Sequence, residues 1–150
     1  MAGCLQRHYA GDFLGNLGVQ QKAEAWGGAL QEPGPGITVV WECDREVVGF
    51  CVYGPSRDSD ASGDTTGELV TINFHPLHWR RGFGRMMCQH VISEGKKRNW
   101  HALTLWVLKQ NTSARCFYEK LGFLPDGTEK VETKLIDAPL HEVRYRMPLE

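Results

Sequence analysis

Apolar positions recur along this chain with a period of two in some stretches and near 3.6 in others, and Gly, Pro or Asp punctuates the joints. Ile37 to Cys43 (ITVVWEC) is a β-branched run. Val47 to Gly54 (VVGFCVYG) is a second, and the intervening Asp44 to Glu46 makes the pair a hairpin. Glu68 to Phe74 (ELVTINF) reads as another strand, closed by His75-Pro76. From Gly82 to about Lys97, Met87, Cys88, Val91 and Ile92 recur on one helical face, with Glu94, Lys96, Lys97 and Arg98 crowding the far end. His101 to Leu108 (HALTLWVL) is mostly apolar, the pattern of a strand buried on both faces. Asn111 is placed to cap a helix running to about Leu121, with Gly122 as its stop. The last third gives two strands. In the second of them Val143, Tyr145 and Met147 alternate with Glu142, Arg144 and Arg146, after a turn at Asp137 to Pro139.

Upstream, Val19 to Gln31 has helical composition weakened by Gly27 and Gly28, and Pro33 to Gly36 ends it. Pro55 to Gly67 holds no large apolar residue and reads as a loop. The predicted order is helix, three strands, helix, strand, helix, two strands. That order predicts an α/β fold with a central twisted mixed sheet and helices on both faces.

Bulk properties narrow the function more than the fold. A chain of 150 residues with 41% apolar and 23% charged residues is expected to form one domain, residues 1–150. A formal net charge of -1 argues against nucleic-acid binding. No apolar run approaches the ~20 residues of a membrane helix, and the start MAGCLQRHYAGDF lacks the pattern of a secretory signal. A cytoplasmic location is the expectation. The five cysteines are odd in number and contain no C-x-x-C pair, so neither disulfides nor zinc is indicated; Cys43, Cys51 and Cys88 read as small core residues. His75 and His78 flank Pro76 without a carboxylate at ligand spacing, and no metal is expected.

One stretch carries chemistry. HWRRGFGRMM, His78 to Met87, follows a strand and opens a helix. Gly82 and Gly84 let backbone approach a ligand closely. The first turn of a helix leaves N–H groups unpaired, and the helix dipole adds roughly half a positive charge there. Arg80, Arg81 and Arg85 add full charges, so the stretch favours a polyanion such as a pyrophosphate. A Gly-rich turn with solvated arginines is the plainer alternative. The ATP-binding G-x-x-x-x-G-K-[ST] loop is not matched, and Met87 departs from G-x-G-x-x-G.

Leu69 to Met87 (LVTINFHPLHWRRGFGRMM) resembles the acetyl-CoA motif of the GNAT acetyltransferase superfamily, in which a strand precedes Q/R-x-x-G-x-G/A. Leu103 to Phe123 (LTLWVLKQNTSARCFYEKLGF) resembles the second signature of that family through Asn111, Ala114, Phe117, Tyr118, Glu119, Gly122 and Phe123. The resemblance runs from about Ile37 to the C-terminus. It implies a GNAT-type fold and an N-acetyltransferase that moves an acetyl group from acetyl-CoA, its co-substrate, to a primary amine through a tetrahedral intermediate.

Carried onto this chain, the amides of Arg80, Arg81, Gly82, Phe83, Gly84 and Arg85 would hold the pyrophosphate. Backbone groups of Ile72, Asn73 and Phe74 would pair with the pantetheine arm, on an edge opened where two strands splay. The N–H of Phe74 would stabilise the oxyanion. Asn111 would contact the pantetheine arm, a role compatible with capping its helix. Tyr118 matches the usual general acid. For the base, Glu68 matches the glutamate of the histone-acetylating branch, His75 and His78 lie near the cofactor motif, and a base acting through water also occurs in the family.

The family normally begins with a strand and a first helix, whereas 36 residues precede Ile37 here. The first strand is expected to be missing, and its bare edge is expected to be covered by a rearranged N-terminus or by a partner chain, as in a homodimer. The acceptor is not legible in the sequence; a small-molecule or peptide amine is the expectation. Asp58, Asp60 and Asp64 would recruit a cation or form a solvated face, and Trp41, Trp79 and Trp106 would line an acceptor site or sit in the core. The alternative function is a non-catalytic CoA-binding or regulatory domain of the same fold.

Overall fold

The structure, a computed structural model of the chain, describes residues 34–133 and 138–150. Their strands are β1 (Ile37–Cys43), β2 (Glu46–Pro55), β3 (Thr66–Phe74), β4 (Ala102–Leu108), β5 (Leu124–Glu132) and β6 (Leu140–Pro148). They form one mixed sheet in the order β1-β2-β3-β4-β6-β5, in which only β3 and β4 pair in parallel. Two helices follow β3 and β4 respectively: α1 (Phe83–Lys97) and α2 (Thr112–Leu121). This is the mixed α/β sheet expected from the alternation of patterns. The helix expected at Val19 to Gln31, the expected loss of a first strand and the bare edge it would leave all fall outside the described residues.

The β1–β2 hairpin closes on two residues, Asp44 and Arg45, with φ of 51° and 67°. Two left-handed residues give the turn whose twist matches the flanking strands. β4 is the most buried strand, with Ala102, Leu103, Thr104, Leu105 and Val107 each at 1% exposure or less. That fits its near-continuous apolar run. Cys51 and Cys88 are core residues as expected, and burial pushes both thiols up to about 12.

Both described helices lie on one face of the sheet. Leu103 and Leu105 stand opposite Met147 and Tyr145 across the β4–β6 pair, so all four share a face. A Cβ on Gly95 of α1 would meet Leu149 and Leu103, and Arg115 of α2 donates to the Tyr145 hydroxyl at 2.9 Å. Met87 and Val91 of α1 are 1% exposed, and burying each contributes about 1.5–3 kcal/mol. On the β3, β4 and β6 part of the other face, polar side chains are buried. Thr66, Glu68, Thr104, Glu142 and Arg144 are all buried there or at its edge. The alternation in β6 marked Glu142 and Arg144 as one side of a strand, and that side turns out to be covered.

Candidate active site

β3 and β4 pair from Thr66–Ala102 through Leu69–Leu105 and no further. Yet β3 continues to Phe74 and β4 to Leu108. The strands therefore fork. On the β2 side the register shifts between Val52 and Tyr53, passing over Val70 in β3. Such a bulge bends its strand and increases local twist, which turns β3 away from β4. The His75 amide donates to the Val48 carbonyl at 2.7 Å. Alternation back along β3 sends the backbone groups of Asn73 and Thr71 to β2, and those of Ile72 and Phe74 into the fork. Of the three residues expected to offer backbone groups there, Asn73 is committed elsewhere. Its side chain also bonds Thr71 at 2.8 Å.

A tight turn joins β3 to α1. The His75 ring accepts the Leu77 amide at 3.2 Å and so caps a single 3-10 turn, Pro76–His78. The Trp79 indole donates to the Phe74 carbonyl at 2.7 Å, folding the turn back on the strand end. Arg80 then takes φ of 60° and Gly82 φ of 83°. Gly82 is the N-cap of α1. No side chain caps this helix, and its first turn holds no acidic residue. Its leading amides are thus presented to an outside acceptor. A Cβ on Gly82 would meet nothing within 4 Å, so the backbone there is bare.

Between this turn and α2 lies a pocket of about 160 Å³, lined by Phe74, Phe83 and Phe117 with Arg80, Arg85 and Lys120 at its polar side. Phe83 packs 6.0 Å from Phe74 and 5.4 Å from Trp41, ring to ring. The pocket thus joins an apolar wall to a cationic rim. Phe117, Lys120 and Leu121 had not been read as lining residues, although Phe117 stands in the second motif.

At the end of β4, the Asn111 side-chain oxygen accepts the Ala114 amide at 3.1 Å and caps α2. The residue is 3% exposed, and its Nδ2 is buried with no hydrogen-bond partner among the described residues. A buried donor left unpaired is costly, so this atom fits a ligand acceptor. Tyr118, seven residues on, is 2% exposed and packs between Phe117 and Phe123 at 5.2 and 6.0 Å. Burial, with Cys88 nearby, raises its pKa well above 10. It is held as a neutral phenol.

Glu68 lies on the face away from the helices. Its two oxygens accept three bonds from Arg57: from the amide and Nε at 3.1 Å each, and from Nη2 at 2.7 Å. Burial raises the Glu68 pKa, but the Arg57 bonds outweigh it and hold the carboxyl below its usual range. Two of the three aspartates of the neighbouring acidic loop already hold a cation. Asp58 and Asp60 are bound to Arg144 at 3.1 and 2.7 Å. The three tryptophans do not share one site: Trp41 sits by the pocket, Trp79 braces the turn, and Trp106 donates to Asp58 at 3.0 Å on the polar face. Among the described residues no group of three side chains is arranged to hold a metal ion, and no helix is long and apolar enough to cross a membrane.

Known proteins resemble this chain in sequence and in fold. The model of the acetyltransferase (GNAT) family matches residues 5–123. The L-methionine sulfoximine/L-methionine sulfone acetyltransferase of Salmonella typhimurium is 28% identical over 99 residues, 66% of this chain and 56% of that protein. The ribosomal protein bS18-alanine N-acetyltransferase of Escherichia coli is 40% identical over 55 residues, 37% of each chain. The matches thus span about half the length of these curated relatives or less. A crystal structure of a GNAT-family acetyltransferase from Desulfovibrio desulfuricans has a TM-score of 0.69 at 19% identity, covering 99% of this chain and 92% of its own. The Escherichia coli ribosomal-protein-S18-alanine N-acetyltransferase structure has a TM-score of 0.66 at 20% identity, covering 89% and 91%. These two likenesses show a common fold.

Proposed function

The chain belongs to the acetyltransferase (GNAT) family, and on that premise we propose that it moves an acetyl group from acetyl-CoA to the α-amino group of an amino acid or a peptide N-terminus. One observation carries the reading: the β3–β4 fork opens beside an uncapped helix N-terminus flanked by arginines. The relatives named for methionine sulfone and for an N-terminal alanine support the acceptor class.

Acetyl-CoA, when bound, supplies an activated thioester. The amides from Arg80 to Arg85 hold its pyrophosphate, with the guanidinium groups of Arg80 and Arg85 adding charge at the pocket rim. The backbone of Ile72 and Phe74 receives the pantetheine arm as an added strand, and Asn111 Nδ2 gives it a donor. The Phe74 N–H stabilises negative charge developing on the carbonyl oxygen. Tyr118 gives its phenolic proton to the departing sulfur, a role that suits a hydroxyl kept protonated by burial. Glu68 has both oxygens engaged by Arg57. We therefore assign removal of the amine proton to water at the open end of the fork.

The test has two steps. Thermal unfolding is followed with acetyl-CoA and, in parallel, with ATP; ligand at ~100 times its dissociation constant stabilises by about 2.7 kcal/mol. Release of free thiol is then measured with L-methionine sulfone and with an alanine-terminated peptide. A shift with acetyl-CoA alone plus amine-dependent thiol supports the enzyme. A shift without turnover of either amine favours the non-catalytic CoA-binding reading, and no shift removes both.

A further inference from the structure

We propose that Arg57 and Asp58 form a strap across the base of the β3–β4 fork, anchored by Arg144, that positions the acceptor-side wall of the site. The proposal rests on the acetyltransferase reading above.

The faces of the sheet set the geometry. Gly67 abuts Trp100, and Gly95 of α1 lies close to the same indole, so Gly67 faces the helices and Glu68 faces away. Leu105 shares the helix face with Tyr145, so the next residue, Trp106, also faces away. Leu69–Leu105 is the last parallel pair. Glu68 and Trp106 thus flank the point at which the strands part. Consecutive loop residues take hold of them. Arg57 grips Glu68 on β3, and Asp58 Oδ1 accepts the Trp106 indole N–H on β4 at 3.0 Å.

Arg144 fixes the strap from β6. It donates to Asp58 at 3.1 Å, twice to Asp60 at 2.7 Å, to Asp126 at 2.7 Å and to Thr128 at 3.0 Å. Its side chain is only 8% exposed. Asp60 lies at the solvent edge of this network, but the Arg144 guanidinium is buried, and holding a buried charge is seldom a gain in stability over apolar replacements. Its distinctive property is that it holds several groups in one geometry. The Lys130 ammonium covers the outer face of the wall, 4.1 Å from the Trp106 ring centroid.

The consequence follows from the two sides of the fork. The pocket that suits the acyl donor is lined from α1, α2 and the turn, on the helix side. The amine then approaches from the opposite side, where it meets the strap. Arg57, Asp58 and Arg144 act as positioning residues for that wall.

The experiment uses the full chain carrying Arg144→Met, Arg144→Lys or the milder Trp106→Phe, which removes the bond to Asp58 and trims the ring under Lys130. In Arg144→Met, amide exchange over residues 56–66 and 106–108 speeds by about tenfold or more while α1 and α2 keep their rates. The acetyl-CoA dissociation constant stays within about twofold, while KM for L-methionine sulfone or the alanine-terminated peptide rises about tenfold with a smaller change in kcat. Arg144→Lys recovers part of the KM loss. An acetyl-CoA affinity that falls in step with the amine KM overturns the proposal, as does unchanged or uniformly raised exchange. Should Arg144→Met not fold, Trp106→Phe decides through the same pattern at smaller amplitude. Failure of the wild-type chain to bind acetyl-CoA overturns the enzyme reading instead, and the exchange pattern then judges the strap by itself.

Discussion

Gly67 lies directly against the indole of Trp100, so close that a Cβ at position 67 would clash with the ring. The contact sits at the paired end of the fork, where β3 and β4 are still joined, and Trp100 is 6% exposed. A methyl group there must displace the indole or the strand. Gly67→Ala is expected to lower stability by about 1–3 kcal/mol, the usual cost of overpacking. Chemical denaturation reads this directly, and an unchanged midpoint would show that the indole moves freely. Gly34→Ala, where a Cβ meets nothing within 4 Å, is the control.

The side chain of Asn111 divides its work between two atoms: Oδ1 caps α2, and Nδ2 is buried without a partner among the described residues. The two roles separate by substitution. Asn111→Ala loses the cap and costs about 1 kcal/mol of stability. Asn111→Asp keeps an oxygen for the Ala114 amide but loses the donor. It should retain most of the cap yet weaken acetyl-CoA binding by about tenfold, as loss of one buried bond to a ligand does. Calorimetric titration beside unligated melting distinguishes the cases. Equal acetyl-CoA affinity in Asn111→Asp and wild type would leave Asn111 as a cap alone.

Local patterns made much of this legible. The first four strand runs, the helix beginning at the Gly-x-Gly turn and the Asn111 to Gly122 helix each depend on neighbours a few residues apart, and each stands within two residues of its expected bounds, whereas β5 had no bounds of its own. The fork was implied only by family resemblance, because it is set by a bulge at Val70 that no apolar period marks. The strap was invisible for a different reason. Arg144 lies 86 and 84 residues from Asp58 and Asp60, and the strand order β4-β6-β5 brings them together. In sequence, the period of two in β6 placed Arg144 on one side without saying what covers that side. Likewise Glu68 matched a catalytic position, while its capture by Arg57 depends on how the loop returns to β3.

The Glu68–Arg57 pair gives a pH dependence with a definite sign. The folded-state pKa of Glu68 lies below its ordinary 4.5, because the Arg57 bonds outweigh the opposing effect of burial. The unfolded chain therefore takes up this proton at higher pH than the folded one. The stability from the pair is fully present above about 4.5 and is lost as pH falls through the folded value. Glu68→Gln should flatten that part of the acid limb. Parallel acid-unfolding profiles for the two proteins below pH 4.5 would show the pair to be energetically silent.

Tyr118 offers the sharpest test of chemistry against packing. Its ring is enclosed by Phe117 and Phe123, so Tyr118→Phe preserves the packing and should leave the melting temperature close to that of wild type. With the pantetheine held by other groups, acetyl-CoA affinity should also stay near the wild-type value. If the phenol protonates the leaving sulfur, kcat falls by roughly 10²-fold or more, the usual contribution of a positioned acid. The raised pKa adds a second reading. Burial first, and Cys88 second, keep the hydroxyl protonated beyond pH 10, so its ionisation should produce no loss of kcat below that pH. Any alkaline decline seen earlier must belong to another group and should persist, at lower amplitude, in Tyr118→Phe. A variant with full kcat would return Tyr118 to the core and leave the leaving thiolate to depart without a protein acid.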